Sequence, residues 1–329
     1  MKLRIGVALA AVSALALAGC GSGSPSGGTS ETSTAAAEGG SGELQKVSVG
    51  VIPIGDTAAI WLGKEQGFFE EEGIDLDLQV TTGGAAAVPG VVSDSFQFAF
   101  GNLISVMVAK DQGLDLAFVT NGTTVSADAE KDIGAVVVPA DSEIQSPADL
   151  AGKTVSVNNL SNIGDTTIRY VVEADGGDPE AIKFAEVAFP DAPAALANKQ
   201  VDAAWILEPF LTQALEDGAR VISWNFKETH PELDIAGYFT KAETIEKDPE
   251  LVEKFRNAMN KSLEYANENP DAVRAIVGTY TKIPDEMRAK MTLPQYKVDF
   301  NREAAETLGE AAAKYGTLKE APNLDDILP

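Results

Sequence analysis

The chain of 329 residues has a single cysteine, Cys20, and a single histidine, His230. One cysteine excludes an intrachain disulfide and a cysteine-rich iron–sulfur centre, and with one histidine it argues against a Cys/His zinc site. His230 precedes Pro231 in a polar stretch, where we expect a surface turn and not the base of a Ser–His–Asp triad. We therefore expect no metal, no cofactor and no catalytic residues, and hence a protein that is not an enzyme.

Positive charge is scarce as well. The chain has 25 Lys and Arg residues against 50 Asp and Glu residues, a formal net charge of −25 at pH 7. So acidic a surface repels phosphate backbones, which excludes nucleic acid as a partner. The hydrophobic fraction of 44% is nevertheless sufficient for ordinary packed cores.

The N-terminus has the pattern of an export signal. A positively charged start is followed by the apolar run Ile5–Leu17, which is shorter than a transmembrane helix normally requires. The run ends in Leu17-Ala18-Gly19-Cys20, which resembles the lipobox of bacterial lipoproteins. We expect residues 1–19 to be a signal peptide and Cys20 to carry the lipid that holds the protein on the extracytoplasmic face of the membrane. Residues 20–42, rich in Gly, Ser, Thr and Ala, read as a flexible tether.

After the tether, short strands alternate with helices. Val47, Val49 and Val51 alternate with small polar residues, and similar strand patterns recur between helical segments. This alternation predicts parallel sheets with helices on their faces. The order of elements in Val47–Val119 is repeated in Lys153–Trp224, which predicts two similar halves.

We therefore predict an α/β fold like that of periplasmic binding proteins, with two doubly wound lobes joined by a two-strand hinge. Lobe I is expected to comprise residues 43–138 and 234–329, and lobe II residues 139–233. A stripe of Phe255, Met259, Leu263 and Ala266 predicts a helix that packs against a lobe.

The candidate ligand-binding residues lie at turns that follow the predicted strands. Ligands of open parallel sheets bind beyond the carboxyl ends of the strands, where helix N-termini offer free N–H groups. Taken singly, such polar residues are usually turn formers or caps, and Trp205 is as well suited to the core as to a cleft. The candidates are Asp56, Thr57, Trp61, Gly83, Gly84, Gly101, Asn102, Asn121, Asn158, Asp165, Thr166, Trp205 and Glu208.

Four local phrases in this order resemble solute-binding proteins of the nitrate, sulfonate and taurine type, a family that includes thiamine-pyrimidine binders. They are Lys64–Ile74, Ala148–Val155, Gln200–Phe210 and Lys247–Val252. The resemblance spans about Val47 to Pro329. It implies a monomeric component of an ABC importer that takes a small-molecule ligand between its lobes and delivers it to permease and ATPase subunits.

The chain departs from a simple anion-binding pattern, because no Arg or Lys occupies the candidate turns and Arg169 lies one turn inside its helix. Glu208 would oppose a sulfonate. We therefore expect a flat aromatic or heteroaromatic ligand, held partly by Trp61 or Trp205. Two alternatives remain open: a sensory lipoprotein, and an enzyme related to pyrimidine synthases of the same fold.

Overall fold

The computed structural model describes residues 43–329. The signal peptide, Cys20 and the tether predicted for residues 1–42 lie outside these described residues. The strands are, in chain order, β1 (Gln45–Val51), β2 (Ile74–Val80), β3 (Phe98–Asn102), β4 (Leu116–Thr124), β5 (Gly134–Val138), β6 (Thr154–Val157), β7 (Lys183–Glu186), β8 (Ala203–Leu207), β9 (Arg220–Ser223), β10 (Asp234–Lys241) and β11 (Gln295–Tyr296).

Most of the helices follow a strand directly or after a short turn. They are α1 (Ala58–Glu65), α2 (Phe68–Glu71), α3 (Gly84–Val92), α4 (Leu103–Asp111), α5 (Ile163–Ala174), α6 (Ala192–Ala197), α7 (Phe210–Glu216), α8 (Asn225–Thr229), α9 (Ala242–Lys247), α10 (Pro249–Glu268), α11 (Pro270–Tyr280), α12 (Asp285–Arg288) and α13 (Arg302–Lys314).

The strands form two sheets of matching topology. The first has the order β11-β4-β10-β3-β1-β2 and the second β7-β6-β8-β5-β9. In each, three neighbouring strands are parallel (β2, β1, β3 and β7, β6, β8), and the next strand, β10 or β5, is antiparallel. This confirms the two similar halves predicted from the sequence. We call the first sheet with its helices lobe I, and the second sheet with α5–α8 lobe II.

The strand β5 corrects the expected boundary between the lobes. Residues 134–138 were predicted in lobe I, but β5 pairs with β8 and β9 of the second sheet. The chain therefore enters lobe II before Gly134. All five residues of β5 are buried, since β5 is an inner strand of the second sheet, between β8 and β9, as β10 is an inner strand of the first. A pattern of local hydrophobicity cannot reveal which sheet such a strand joins.

Helix α10 supplies much of the packing of lobe I. Its predicted stripe is confirmed, because Phe255, Met259, Leu263 and Ala266 are all buried. The Phe255 ring stacks on Phe98 of β3 with 3.9 Å between centroids. Helix α10 also lies close against α1, where Gly63 faces Ser262.

Gly63→Ala is expected to destabilise the protein by about 1–3 kcal/mol, although the same change inside a helix ordinarily stabilises by about 1 kcal/mol. The added Cβ would lie 1.8 Å from Ser262 Oγ and 2.8 Å from Ser262 Cβ. Urea unfolding measures the effect. In a protein that already carries Ser262→Ala, the Oγ atom is absent, so Gly63→Ala should destabilise less. Equal destabilisation with and without Ser262→Ala would contradict the predicted clash.

Candidate functional site

A small cavity lies between the two sheets. It is lined by residues of both lobes. None of the residues that line it is a lysine or an arginine. Four of the residues predicted from the sequence line this cavity: Asp56, Asn102, Asn158 and Trp205.

Asp56 is the ionisable group of the cavity. It lies in the 3-10 turn Gly55–Thr57 after β1, and only 1% of it is exposed. Its Oδ1 accepts a hydrogen bond from Thr123 Oγ1 at 3.2 Å, whereas its Oδ2 has no hydrogen-bond partner. Burial, with a smaller contribution from nearby Asp132, raises the pKa of Asp56 to about 7.

The turn that carries Asp56 is fixed by side chains from the C-terminal part of the chain. Tyr280 donates to Ile54 O at 3.0 Å, and Tyr296 donates to Gly55 O at 2.9 Å. Trp61 stacks on Tyr280 with 4.8 Å between centroids. Trp61 therefore packs against a residue that holds the turn in place, and it does not line the cavity.

Thr57 also shapes this turn. Its hydroxyl donates to Ile52 O at 2.7 Å and lies 3.1 Å from Ile54 O. The side chain is fully buried, and it is not part of the cavity lining.

Two asparagines line the cavity and lie next to polar contacts between the lobes. Asn102 caps α4 by accepting from Ser105 N at 2.9 Å, and Ser105 Oγ donates to Asn162 Oδ1 of lobe II at 3.3 Å. Asn158 of lobe II donates to Thr82 O of lobe I at 3.1 Å. Polar contacts therefore join the two lobes next to the cavity.

Trp205 on β8 belongs to an aromatic cluster in the wall of the cavity. It is 2% exposed, and its centroid lies 5.3 Å from that of Phe189 and 5.5 Å from that of Phe226. Its indole Nε1 is buried and has no hydrogen-bond partner. The wall of the cavity thus contains an unused donor as well as the unused acceptor on Asp56.

Glu208 links the lobes and does not line the cavity. Its carboxylate accepts from Thr212 N at 3.0 Å, from Thr212 Oγ1 at 2.9 Å and from Thr292 N of lobe I at 3.0 Å. Its carbonyl accepts from Gly55 N of lobe I at 2.9 Å. Burial raises the pKa of Glu208 to about 7.

The predicted glycines are sites of close approach. A Cβ on Gly84 would lie 2.6 Å from Gly101 Cα, and one on Gly101 would lie 2.9 Å from Gly84 Cα. A Cβ on Gly83 would lie 1.9 Å from Asn159 Oδ1 of lobe II. These glycines allow the start of α3 to approach β3 and the opposite lobe.

The remaining predicted residues lie outside the cavity lining and have partners elsewhere. Asp165 accepts from Ser161 N at 2.8 Å and Asn162 N at 2.6 Å, which forms the capping box of α5. Thr166 lies 3.2 Å from Thr317, oxygen to oxygen. Asn121 donates to Asp234 at 2.9 Å.

Several lining residues were not predicted from the sequence. They are apolar, and a hydrophobic residue next to a turn gives no signal that separates a cavity wall from a core. Phe189 could have been noticed because it directly precedes Pro190, a residue type typical of turns. The others include Ile52, Ile54, Phe100, Phe226 and Ile235.

Charged residues outside the cavity do not supply it with a cation or a metal-binding group in the described part of the chain. Arg169 binds Pro179 O and Glu180, so its charge is held away from the cavity. Among residues 43–329, no three His, Cys, Asp or Glu side chains form a group that could hold a metal ion. None of the helices described here has the length and hydrophobicity needed to span a bilayer.

We expect the unmodified protein to lose stability between pH 5 and pH 8. We expect Asp56→Asn to make this loss smaller. Because burial raises the pKa of Asp56 from 3.8 to about 7, the folded state holds a proton that the unfolded chain has released between these values. Stability is then lost as pH rises through this window, by on the order of a few kcal/mol. Asn cannot ionise and removes that loss.

Urea unfolding at pH 5 and pH 8 tests this. Asp75→Asn on β2, which removes the same charge from an exposed side chain, is the matched control. Equal pH dependence in both variants would show that ionisation of Asp56 is not coupled to folding.

Comparison with known proteins agrees with this architecture. The chain is 24% identical over 217 residues to the formylaminopyrimidine-binding protein of Halalkalibacterium halodurans, which is 64% of this chain and 63% of that protein. The match thus spans less than two thirds of the relative's length.

Solved structures show the same fold at low identity. The alkanesulfonate-binding protein SsuA of Xanthomonas axonopodis pv. citri, bound to MOPS, superimposes with a TM-score of 0.72 at 16% identity, covering 86% of this chain and 96% of that one. The desulfurization enzyme DSZB superimposes with a TM-score of 0.62 at 16% identity, covering 85% and 95%. The fold is therefore used by binding proteins and by an enzyme.

Residues 55–273 match the family described as NMT1/THI5 like. This range includes Asp56, both crossings between the lobes and all of lobe II. Since the match covers more than half of the chain, the protein belongs to the NMT1/THI5-like family and has the fold of periplasmic binding proteins.

Proposed function

We propose that this protein is the solute-binding component of an ABC importer. It captures a small organic solute between its lobes on the extracytoplasmic face of the membrane and delivers it to a permease driven by an ATPase. The observation that carries the proposal is the cavity between the two sheets, whose lining comes from both lobes. A ligand that contacts both lobes stabilises their closed arrangement, as in hinge closure of binding proteins.

The chemistry of the cavity supports a flat, mostly apolar solute and not a small inorganic anion. Aromatic and aliphatic side chains make most of its wall, and none of its lining residues is cationic. In its ionised form, the carboxylate of Asp56 would repel a sulfonate or nitrate, and its unpaired Oδ2 would accept a hydrogen bond from an N–H group. The formylaminopyrimidine named for the relative from Halalkalibacterium halodurans is a solute of this kind.

The same cavity favours binding over catalysis. Asp56 is the ionisable side chain among the residues that line it. His230 follows α8 and accepts from Glu232 N at 3.1 Å, away from this wall. Neighbouring genes discriminate further: a permease and an ATPase support import, and a sensor kinase supports a sensory lipoprotein.

We expect small nitrogen heteroaromatics to stabilise the protein and nitrate or methanesulfonate to have little effect. A solute at about 100 times its Kd adds about 2.7 kcal/mol of stability. A thermal-shift screen that compares 4-aminopyrimidine with these two anions measures this. The solute that stabilises should also lower the radius of gyration in small-angle scattering. Stabilisation by the anions alone would contradict the assigned ligand class.

Cys20→Ala is expected to release the protein from the membrane without affecting its fold. The core that the structure describes is built from strands and helices of residues 43–329, so we expect the lipid attached to Cys20 to contribute nothing to it. Membrane fractionation and urea unfolding measure the two effects, with Ser22→Ala as the control that should remain membrane-bound. Membrane attachment of the Cys20→Ala variant would refute the anchor.

A further inference from the structure

The C-terminal part of the chain joins the lobes again, in addition to the two crossings of the chain. Before α13, Asn121 N of β4 donates to Val298 O at 3.1 Å. After α13, Phe118 N of the same strand donates to Ile327 O at 2.8 Å. Both ends of this part of the chain are therefore fixed to the sheet of lobe I. We call residues 302–317, which lie between these two anchors, the C-terminal strap.

The C-terminal strap contacts α5 of lobe II. Its Lys314 forms a salt bridge with Glu173 at 2.6 Å, and the hydroxyl of Tyr315 donates to the same carboxylate. The hydroxyl oxygens of Thr317 and Thr166 lie 3.2 Å apart, and Thr166 is fully buried. Thr166 and Glu173 are about two helical turns apart in α5, which places them on the same face of this helix. That face of α5 therefore meets the strap.

Contacts within lobe I hold the strap in place. A Cβ on Gly309 of α13 would lie 2.8 Å from Pro322 Cδ and 3.8 Å from Met107 Cε of α4. The chain after α13 therefore folds back onto this helix, which in turn lies against α4. Lys319 Nζ of the returning chain donates to Asp111 O of α4 at 2.8 Å. Because lobe I holds the strap in this way, a movement of α5 away from lobe I would separate α5 from the strap.

We propose that the C-terminal strap is a brake on opening of the lobes: its contacts with Glu173 and Thr166 are made when the lobes are closed and are broken when they open. The strap thereby sets the fraction of solute-free protein that is closed. This inference rests on the proposed function, because it takes the lobes to open and close, but it holds whichever solute binds. Surface ion pairs of this kind shift an equilibrium by at most about fivefold, so the brake adjusts the closed fraction without preventing opening.

Two spin labels at the mouth of the cleft would measure opening in the absence of any solute. Val80 of lobe I and Leu160 of lobe II are exposed. They lie on either side of the contact in which Asn158 donates to Thr82 O at 3.1 Å. Val80→Cys and Leu160→Cys, in the full chain with Cys20→Ala, would carry the labels. Pulsed electron paramagnetic resonance then gives the ratio of long to short distances between the labels, which reports the ratio of open to closed protein.

Glu173→Ala is expected to raise this ratio about two- to fivefold, because Lys314 and Tyr315 lose their common partner on lobe II. Glu180→Ala is the matched control. It also removes an exposed carboxylate from a salt bridge, but Glu180 pairs with Arg169 at 3.0 Å within lobe II, so the ratio should stay unchanged. An equal rise in both variants would reveal a general effect of charge and would overturn the inference.

Two further variants distinguish a brake from a contact that persists while the lobes move. Thr317→Arg places a long charged side chain against the buried Thr166 and should raise the ratio more than Glu173→Ala does. Gly83→Ala should open the mouth independently of the strap, since its Cβ would lie 1.9 Å from Asn159 Oδ1 of lobe II. A rise with Gly83→Ala but with neither strap variant would overturn the brake, while movable lobes would stand. No rise with any of the three would count against both this inference and the proposed function.

Discussion

The hydrogen bond from Gly55 N of lobe I to Glu208 O of lobe II is the contact on which the site depends. It joins the turn that carries Asp56 to the segment that follows β8, the strand of Trp205. Space around Gly55 is limited, since a Cβ there would lie 3.0 Å from Met291 Cε. The carboxylate of Glu208 reinforces this contact through Thr212 and Thr292. Glu208 therefore joins the two walls of the cavity from outside its lining.

The fold was largely predictable because each half repeats a strand–helix alternation, and parallel strands joined by helices have few possible orders. The sequence did not predict which sheet β5 joins. The strand completes the sheet of lobe II, and this pairing is between residues far apart in the sequence. Nothing in its five apolar residues distinguishes one sheet from the other. Its place in the second sheet depends on pairing with the free edge of β8, which forms only when the other strands of lobe II have assembled.

The site was predictable only in part, for a related reason. Asp56, Asn102, Asn158 and Trp205 lie at or near the ends of strands and do line the cavity. Asp165 lies at an equivalent turn, but its carboxylate caps α5. That role was visible locally, since Asn162 and Asp165 have the spacing of a capping box. The role of Glu208 was not visible, because its partners include Thr292 of the opposite lobe.

Two opposing interactions affect the closed arrangement of the lobes: surface salt bridges between them, and the burial of Asp56. The salt bridges that join them at the surface, Lys314–Glu173 at 2.6 Å and Lys290–Glu216 at 2.5 Å, are between partly exposed groups. Such pairs contribute about 0–1 kcal/mol each. Against them stands the cost of burying Asp56 with one oxygen unpaired. Under the proposed function, a solute that donates a hydrogen bond to this carboxylate would remove that cost and add contacts of its own, which would couple the closed arrangement of the lobes to solute binding.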